Sequence, residues 1–211
     1  NLNNKPAIAN KTALKNKNKL PSTNVRALSK RAIISKTLKI KIPRKAKLTI
    51  NARHGKVVFS EEVKNLKAEL SYMLLEAHKI NGERTSIKGS YSNFEIDSWS
   101  NGSLNVLFSD YTLIKEVSTI ILTANSSIVS IDNLTKSIDA KGNFKMLSID
   151  ASAEVKNINI DLEDSKQVWL KLPKTTYNLK YEGIDSKLIH PEKFALKTSK
   201  SNSRKQTIEH K

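Results

Sequence analysis

Three carboxylates, Asp97, Asp110 and Glu116, stand close together in a stretch of alternating residues. Paired carboxylates brought to one face are what cleavage of an acidic polysaccharide would require. They fall on the outer parity of strand-like runs, where carboxylates ordinarily face water, so no catalysis is expected of them. The four histidines, His54, His78, His190 and His210, include no pair spaced four residues apart and no ligand cluster. With no cysteine present, disulfides and thiolate-metal sites are excluded, and neither a metal nor another cofactor is expected. No Gly-x-Ser-x-Gly elbow and no phosphate-binding loop occurs. Trp99, in "DSWSNGS", reads as a loop residue and a candidate sugar-stacking platform, whereas Trp169 is expected to pack at the end of the fold. Asn10, Asn101, Asn125 and Asn133 match the glycosylation sequon, at a frequency that chance explains in so Asn- and Ser-rich a chain.

The 211 residues carry a net charge of +17, and its distribution matters more than its total. Residues 1–47 hold 14 Lys and Arg and no acid, residues 48–186 hold 16 basic and 18 acidic side chains, and residues 187–211 hold 7 against 2. The basicity therefore belongs to the ends. A basic arm binds polyanions of many kinds, among them anionic lipid and acidic glycan. No aromatic residue precedes Phe59, so the basic segment lacks stacking platforms for single-stranded nucleic acid, and nucleic acid is not the expected partner. Arg31, Lys36, Lys39, Lys41, Arg44, Lys45 and Lys47 are the candidate contacts with an anionic surface polymer. No apolar run approaches the roughly 20 residues that span a bilayer, and the opening "NLNNKPAIAN" is not a secretory signal. The chain reads as soluble as given; an export signal would have been removed or would lie outside it.

What positions these residues is a repeat. "NARHGKVVFS" alternates with Ala52 and His54 on one parity, skips Gly55 and Lys56, and resumes with Val57 and Phe59 on the other. The same phrase returns as Leu66, Ala68, Leu70, Tyr72, then Leu75 and Ala77, and again as Thr85, Ile87, Gly89, Tyr91, then Phe94 and Ile96. Gly102, Leu104, Val106 and Phe108 lead to Tyr111 and Leu113; Ile120, Leu122, Ala124 and Ser126 to Val129 and Ile131; Ile138, Ala140, Gly142 and Phe144 to Leu147 and Ile149. The six units are spaced by 18, 19, 17, 18 and 18 residues, and looser matches follow through Ile158, Leu170 and Tyr181. No single unit can bury its apolar face, but units stacked in parallel can, with each residue about 4.8 Å above its counterpart. The break in parity is then a corner.

The predicted fold is all-β: a single-stranded parallel β-helix of about seven coils with about 18 residues each. It overrides the helical period that Val63, Leu66, Leu70, Met73, Leu74 and Ala77 would otherwise suggest. Residues 1–37 are expected to form a basic, mostly disordered or extended arm, 38–190 the solenoid, and 191–211 a basic flexible tail. The seventh position of the repeat, His54, Tyr72, Tyr91, Phe108, Ser126 and Phe144, predicts a structural ladder at the corner, with a ligand-stacking stripe as its alternative. Length varies after position twelve, in "DSWSNGS" and "DNLTKS", which read as loops along one edge.

The phrases "LTINARHGKVVF", "LKAELSYMLLEA", "IKGSYSNFEI", "LNVLFSDYTL" and "IDAKGNFKMLSI", led in by "IKIPRKAKL", resemble the auto-transporter adhesin head domain, also called the GIN domain, over residues 38–182. The family's Tyr-Gly-Asp corner survives only as Gly55 and Asp110, and its usual upstream strand-rich region is missing or reduced to the basic arm. The resemblance implies a β-helical fold, an extracytoplasmic setting in a Gram-negative envelope, and no established activity. The expectation is a non-enzymatic scaffold or adhesion-type module whose partners are an anionic surface polymer, a glycan or an envelope protein. The rivals are a self-assembling filament and a polysaccharide lyase or hydrolase built on the same coil.

Overall fold

The computed structural model describes residues 38–41, 43, 46–173, 179–184, 189, 197–201 and 205–210. The chain divides into two compact units, Asn1–Ile40 and Lys41–Lys211. Of the first, Leu38, Lys39 and Ile40 are described, and all three are exposed. The predicted basic arm, residues 1–37, lies outside the described residues.

The second unit contains a parallel β-solenoid of about seven coils set about 18 residues apart. Its strands are β1 (Thr49–Lys64), β2 (Lys67–Asn81), β3 (Ser86–Ser90), β4 (Asn93–Leu107), β5 (Thr112–Ala151), β6 (Asn157–Leu162) and β7 (Val168–Lys171). Several run unbroken round a corner, and β5 continues for 40 residues. The register matches like with like. Ile50 pairs with Ala68, Ala68 with Ile87, Ile87 with Leu104 and Leu104 with Leu122. A second inward column runs from Phe59 through Ala77 and Ile96 to Ile114. The stretch whose sequence also fits a helical period, Glu61–Ile80, is strand on both sides of a turn at Asn65, because stacking on the next coil covers alternate residues on one face. Each fully buried aliphatic or aromatic side chain contributes roughly 1.5–3 kcal/mol, which is how coils unable to fold alone stabilise one another.

A third inward column was not legible as such. Val63, Ile80, Trp99, Val117 and Leu134 are all buried, with Ile80 paired to Trp99 and Trp99 to Val117. The presumed loops "DSWSNGS" and "DNLTKS" are therefore strand, within β4 and β5, and they hold Trp99 and Leu134 in the core. One apolar residue per coil among polar neighbours gives no alternation to read.

Two corners depart from the repeat. In the fourth coil Thr112 and Ile114 point inward, not Tyr111 and Leu113. An extra residue is held in that corner, where Ser109 Oγ contacts Tyr111 O at 3.2 Å and Thr112 Oγ1 at 2.9 Å, and Tyr111 N donates to Asn93 Oδ1 at 3.2 Å. In the sixth coil the positive φ falls on Gly142, at 113°, and Phe144 turns inward, fully buried. Phe144 thus leaves the ladder for the core. Glycine is required there: a Cβ on Gly142 would lie 2.2 Å from Ala124 O.

Serines bind the corners together. Met73 N donates to Ser92 Oγ at 3.1 Å, Ser109 N to Ser127 Oγ at 3.0 Å, and Phe144 N to Ser165 Oγ at 2.9 Å. Ser92 and Ser127 donate in turn to the carbonyls of Ser90 and Asn125, both at 2.9 Å. Each hydroxyl satisfies a backbone amide that a turning strand would leave without a partner. Among the described residues no buried side-chain polar atom lacks a hydrogen bond.

Beyond the solenoid, β8 (Leu179–Ile184), β9 (Lys197–Ser201) and β10 (Lys205–His210) form a second, antiparallel sheet in the order β8-β10-β9. Leu179 and Tyr181 belong to this sheet and not to the coil stack. Two segments of the presumed flexible tail are strands, since backbone pairing supplies the partner that composition alone does not reveal.

Ser127→Ala is expected to lower unfolding free energy by about 1–3 kcal/mol in urea titrations, because it strands the buried Ser109 amide. Lys88→Ala, on an exposed face, is expected to change it by less than about 0.5 kcal/mol.

Candidate binding surface

The corner column is built on an unfavourable backbone. His54, Tyr72, Tyr91, Phe108 and Ser126 have φ of 59°, 54°, 51°, 54° and 49°, the left-handed region. For residues with a Cβ this costs roughly 1–2 kcal/mol each. The conformation turns the strand and throws the side chain outward. Tyr72, Tyr91 and Phe108 are accordingly 47%, 52% and 40% exposed.

The exposed rings stack. Centroids lie 5.1 Å apart from His54 to Tyr72, 5.1 Å from Tyr72 to Tyr91 and 5.0 Å from Tyr91 to Phe108, with interplanar angles of 16°, 4° and 15°. The Arg53 guanidinium carbon sits 5.6 Å from the Tyr72 centroid, within cation–π range. Ring pairs contribute about 0.5–1.5 kcal/mol each beyond their burial, which offsets much of the backbone cost. Because each inner ring is covered on both faces by its neighbours, the ladder offers solvent its edges and not its faces. That is the structural ladder predicted, shortened to four rings and followed by Ser126, and it disfavours a stripe on which flat ligands stack.

The charged outer residues pair from coil to coil. Lys56 meets Glu76, Lys79 Nζ lies 3.9 Å from Glu62, and Lys145 Nζ lies 3.2 Å from Asp110. Asp97 lies between coils, its Oδ1 2.7 Å from Lys115 Nζ and its Oδ2 3.2 Å from His78 Nδ1. Hydrogen bonds from Lys115 and then His78 hold the Asp97 carboxyl below its ordinary range, and Asp97 in turn raises the Lys115 ammonium. Two of the candidate carboxylates have separate partners: Asp97 lies against Lys115 and His78, and Asp110 against Lys145. Glu116 is exposed and pairs in register with Ser98.

Trp99 offers no sugar platform. It is 1% exposed, and its indole Nε1 donates to Asn101 O at 2.8 Å, so the ring is core. Trp169 instead lies on the outer parity of β7, 59% exposed, opposite Ser148, while Val168 and Leu170 turn inward. Lys39, Lys41 and Lys47 are exposed, whereas Arg31, Lys36, Arg44 and Lys45 lie outside the described residues. Among the described residues no group of three or more His, Cys, Asp or Glu is placed to hold a metal ion. Likewise no helix among them is long and apolar enough to cross a membrane.

Sequence reasoning also missed a shallow groove of roughly 420 Å³ on the outer face of coils four to seven. Asn105, Thr123 and Lys141 line one side and Leu107, Asn125 and Asn143 the other. These residues read as ordinary outer-parity positions.

Stacked coils carrying an exposed corner ladder define a parallel β-solenoid. Comparison of the chain with family models, curated proteins and solved structures finds no match.

Three outcomes follow from this geometry. Ser126→Gly should stabilise the chain by up to about 1 kcal/mol in thermal unfolding, because it relieves the left-handed backbone where no ring stack exists. Tyr91→Gly gives the same relief but loses two ring contacts, and should show no such gain. The Asp97 contribution is present above the unfolded carboxylate pKa of about 3.9 and is lost as pH falls through the lower folded value. Chemical denaturation of Asp97→Asn across that acid range should therefore show a shallower loss of stability than the parent chain.

Proposed function

We propose that this chain is a non-enzymatic module of a bacterial cell envelope or surface, a scaffold or adhesion-type binding domain. The observation that carries the reading is the exposed periodic face, on which four rings repeat every 5.0–5.1 Å and polar residues recur at the same register. Such an array suits a partner that is itself repetitive or extended. The basic segment adds attraction to anionic surface polymers, and the resemblance of residues 38–182 to the adhesin head domain supports an extracytoplasmic setting. Asp97 is held by Lys115 and His78 and Asp110 by Lys145, and carboxylates tied to separate partners count against the polysaccharide-cleaving alternative.

A filament-forming role is the second reading, and one feature favours it. Ile50, Ala52, Val57 and Phe59 of the first coil are only partly buried, so among the described residues β1 leaves apolar side chains incompletely covered at one end of the stack.

The test is adhesion of the labelled chain to intact Gram-negative cells and to lipopolysaccharide-coated surfaces over a salt series. Adhesion that weakens with salt and falls at least several-fold on deleting residues 1–37 or on changing Lys39, Lys41 and Lys47 to Gln is the expected result. No adhesion, or adhesion indifferent to salt and to those changes, would overturn it. Light scattering that grows with protein concentration would favour the filament instead.

A further inference from the structure

The two rims of the solenoid match in apolar pattern and oppose each other in charge. β1 forms one rim and pairs only with β2, whereas β6 and β7 form the other and pair only with β5. Among the described residues each of these strands therefore has one edge without a strand partner, and its backbone N–H and C=O groups on that side are open to pairing. The apolar columns stop there half covered. Ile50, Val57 and Phe59 at the first rim and Ile160, Val168 and Leu170 at the last are partly buried. Leu104, Ile114 and Leu122 between them are 1% exposed or less.

The repeat fixes which residues would meet if the first rim of one copy were laid on the last rim of another. The column from Ile50 through Ala68, Ile87, Leu104 and Leu122 continues by Ala140 to Ile160, so Ile160 would lie beside the next copy's Ile50. The same count sets Leu162 against Ala52, Val168 against Val57 and Leu170 against Phe59. Each is an apolar pair at the strand spacing of about 4.8 Å. On the outer parity Val58 and Trp169 are the two ends of one column, and they are 56% and 59% exposed.

Charge supports the same register. Arg53 begins the column that runs through Ser71, Ser90, Leu107 and Asn125 and ends at Glu163. His54 begins the corner column, and Asp164 ends it with the same left-handed backbone, at a φ of 48°. All four side chains are exposed, and among the described residues neither Glu163 nor Asp164 has an ion-pair partner. Rim on rim, a guanidinium would meet one carboxylate and an imidazole N–H the other. The neighbouring outer columns would set Thr49 against Asn159, Asn51 against Asp161 and Lys56 against Gln167, which brings no like charges together.

We infer, on the filament-forming reading of the chain, that its partner is a second copy joined head to tail. The first coil of one copy continues the last coil of another in the same parallel register, and Arg53 with Glu163 and His54 with Asp164 select the joint. A contact between two different surfaces, repeated along one axis, stays open at both ends and grows. The test is sedimentation velocity and negative-stain microscopy of the 211-residue chain over a concentration series. Rods that lengthen with concentration are expected. Arg53→Glu and Glu163→Arg, each alone, should raise the concentration needed for assembly roughly ten-fold or more. The chain carrying both exchanges should recover, and so should an equimolar mixture of the two single variants, which can alternate. Lys88→Glu, on the outer face of the third coil, should leave assembly unchanged, and circular dichroism of every variant should match the parent. Growth that is indifferent to the single exchanges, or that neither the double exchange nor the mixture restores, would refute this joint and leave the filament reading standing. A chain that stays monomeric at every concentration would overturn both.

Discussion

Hydrogen bonding of each coil to the next, in fixed parallel register, is the constraint from which the remaining features follow. It places residue on residue, as in the pairs from Ile50 to Leu122, and so turns a repeat in sequence into columns in space. An apolar residue then gains shelter from the coils above and below, and a misplaced charge would be felt along the whole column. The chain meets that demand with paired outer charges such as Asp97 with Lys115, and with serines whose hydroxyls span adjacent corners.

The corners carry the main local conflict. A left-handed residue is needed to turn the strand, yet His54, Tyr72, Tyr91 and Phe108 are not glycines. Stacked rings hold the conformation by contacts that an isolated coil could not make. Where the ring is absent, the chain uses other means: Ser126 bonds to Asn125, and in the sixth coil Gly142 takes the positive φ while Phe144 joins the core. The aromatic column is therefore best understood first as part of the scaffold and only second as a surface.

The parity break in "NARHGKVVFS" and its return every 18 residues or so carried the coil, the first two core columns and the ladder from His54 to Phe108, because alternation reports directly which face is covered. Single apolar residues did not announce themselves in this way. Trp99 sits among serine, aspartate and asparagine, and only its stacking between Ile80 and Val117 makes it core. The shift from Tyr111 to Thr112 depends on one extra corner residue, which spacing alone does not assign to either side of the turn.

The incomplete cover on the first and last coils has a kinetic meaning. Ile50, Val57 and Phe59 at one end, and Ile158, Val168 and Leu170 at the other, are only partly buried, while Leu104, Ile114 and Leu122 between them are sealed. Amide protons near the termini of the stack will exchange through brief fraying of one coil, whereas those in the middle must wait for several coils to part. The solenoid is thus a graded clock, quick at its rims and slow at its waist.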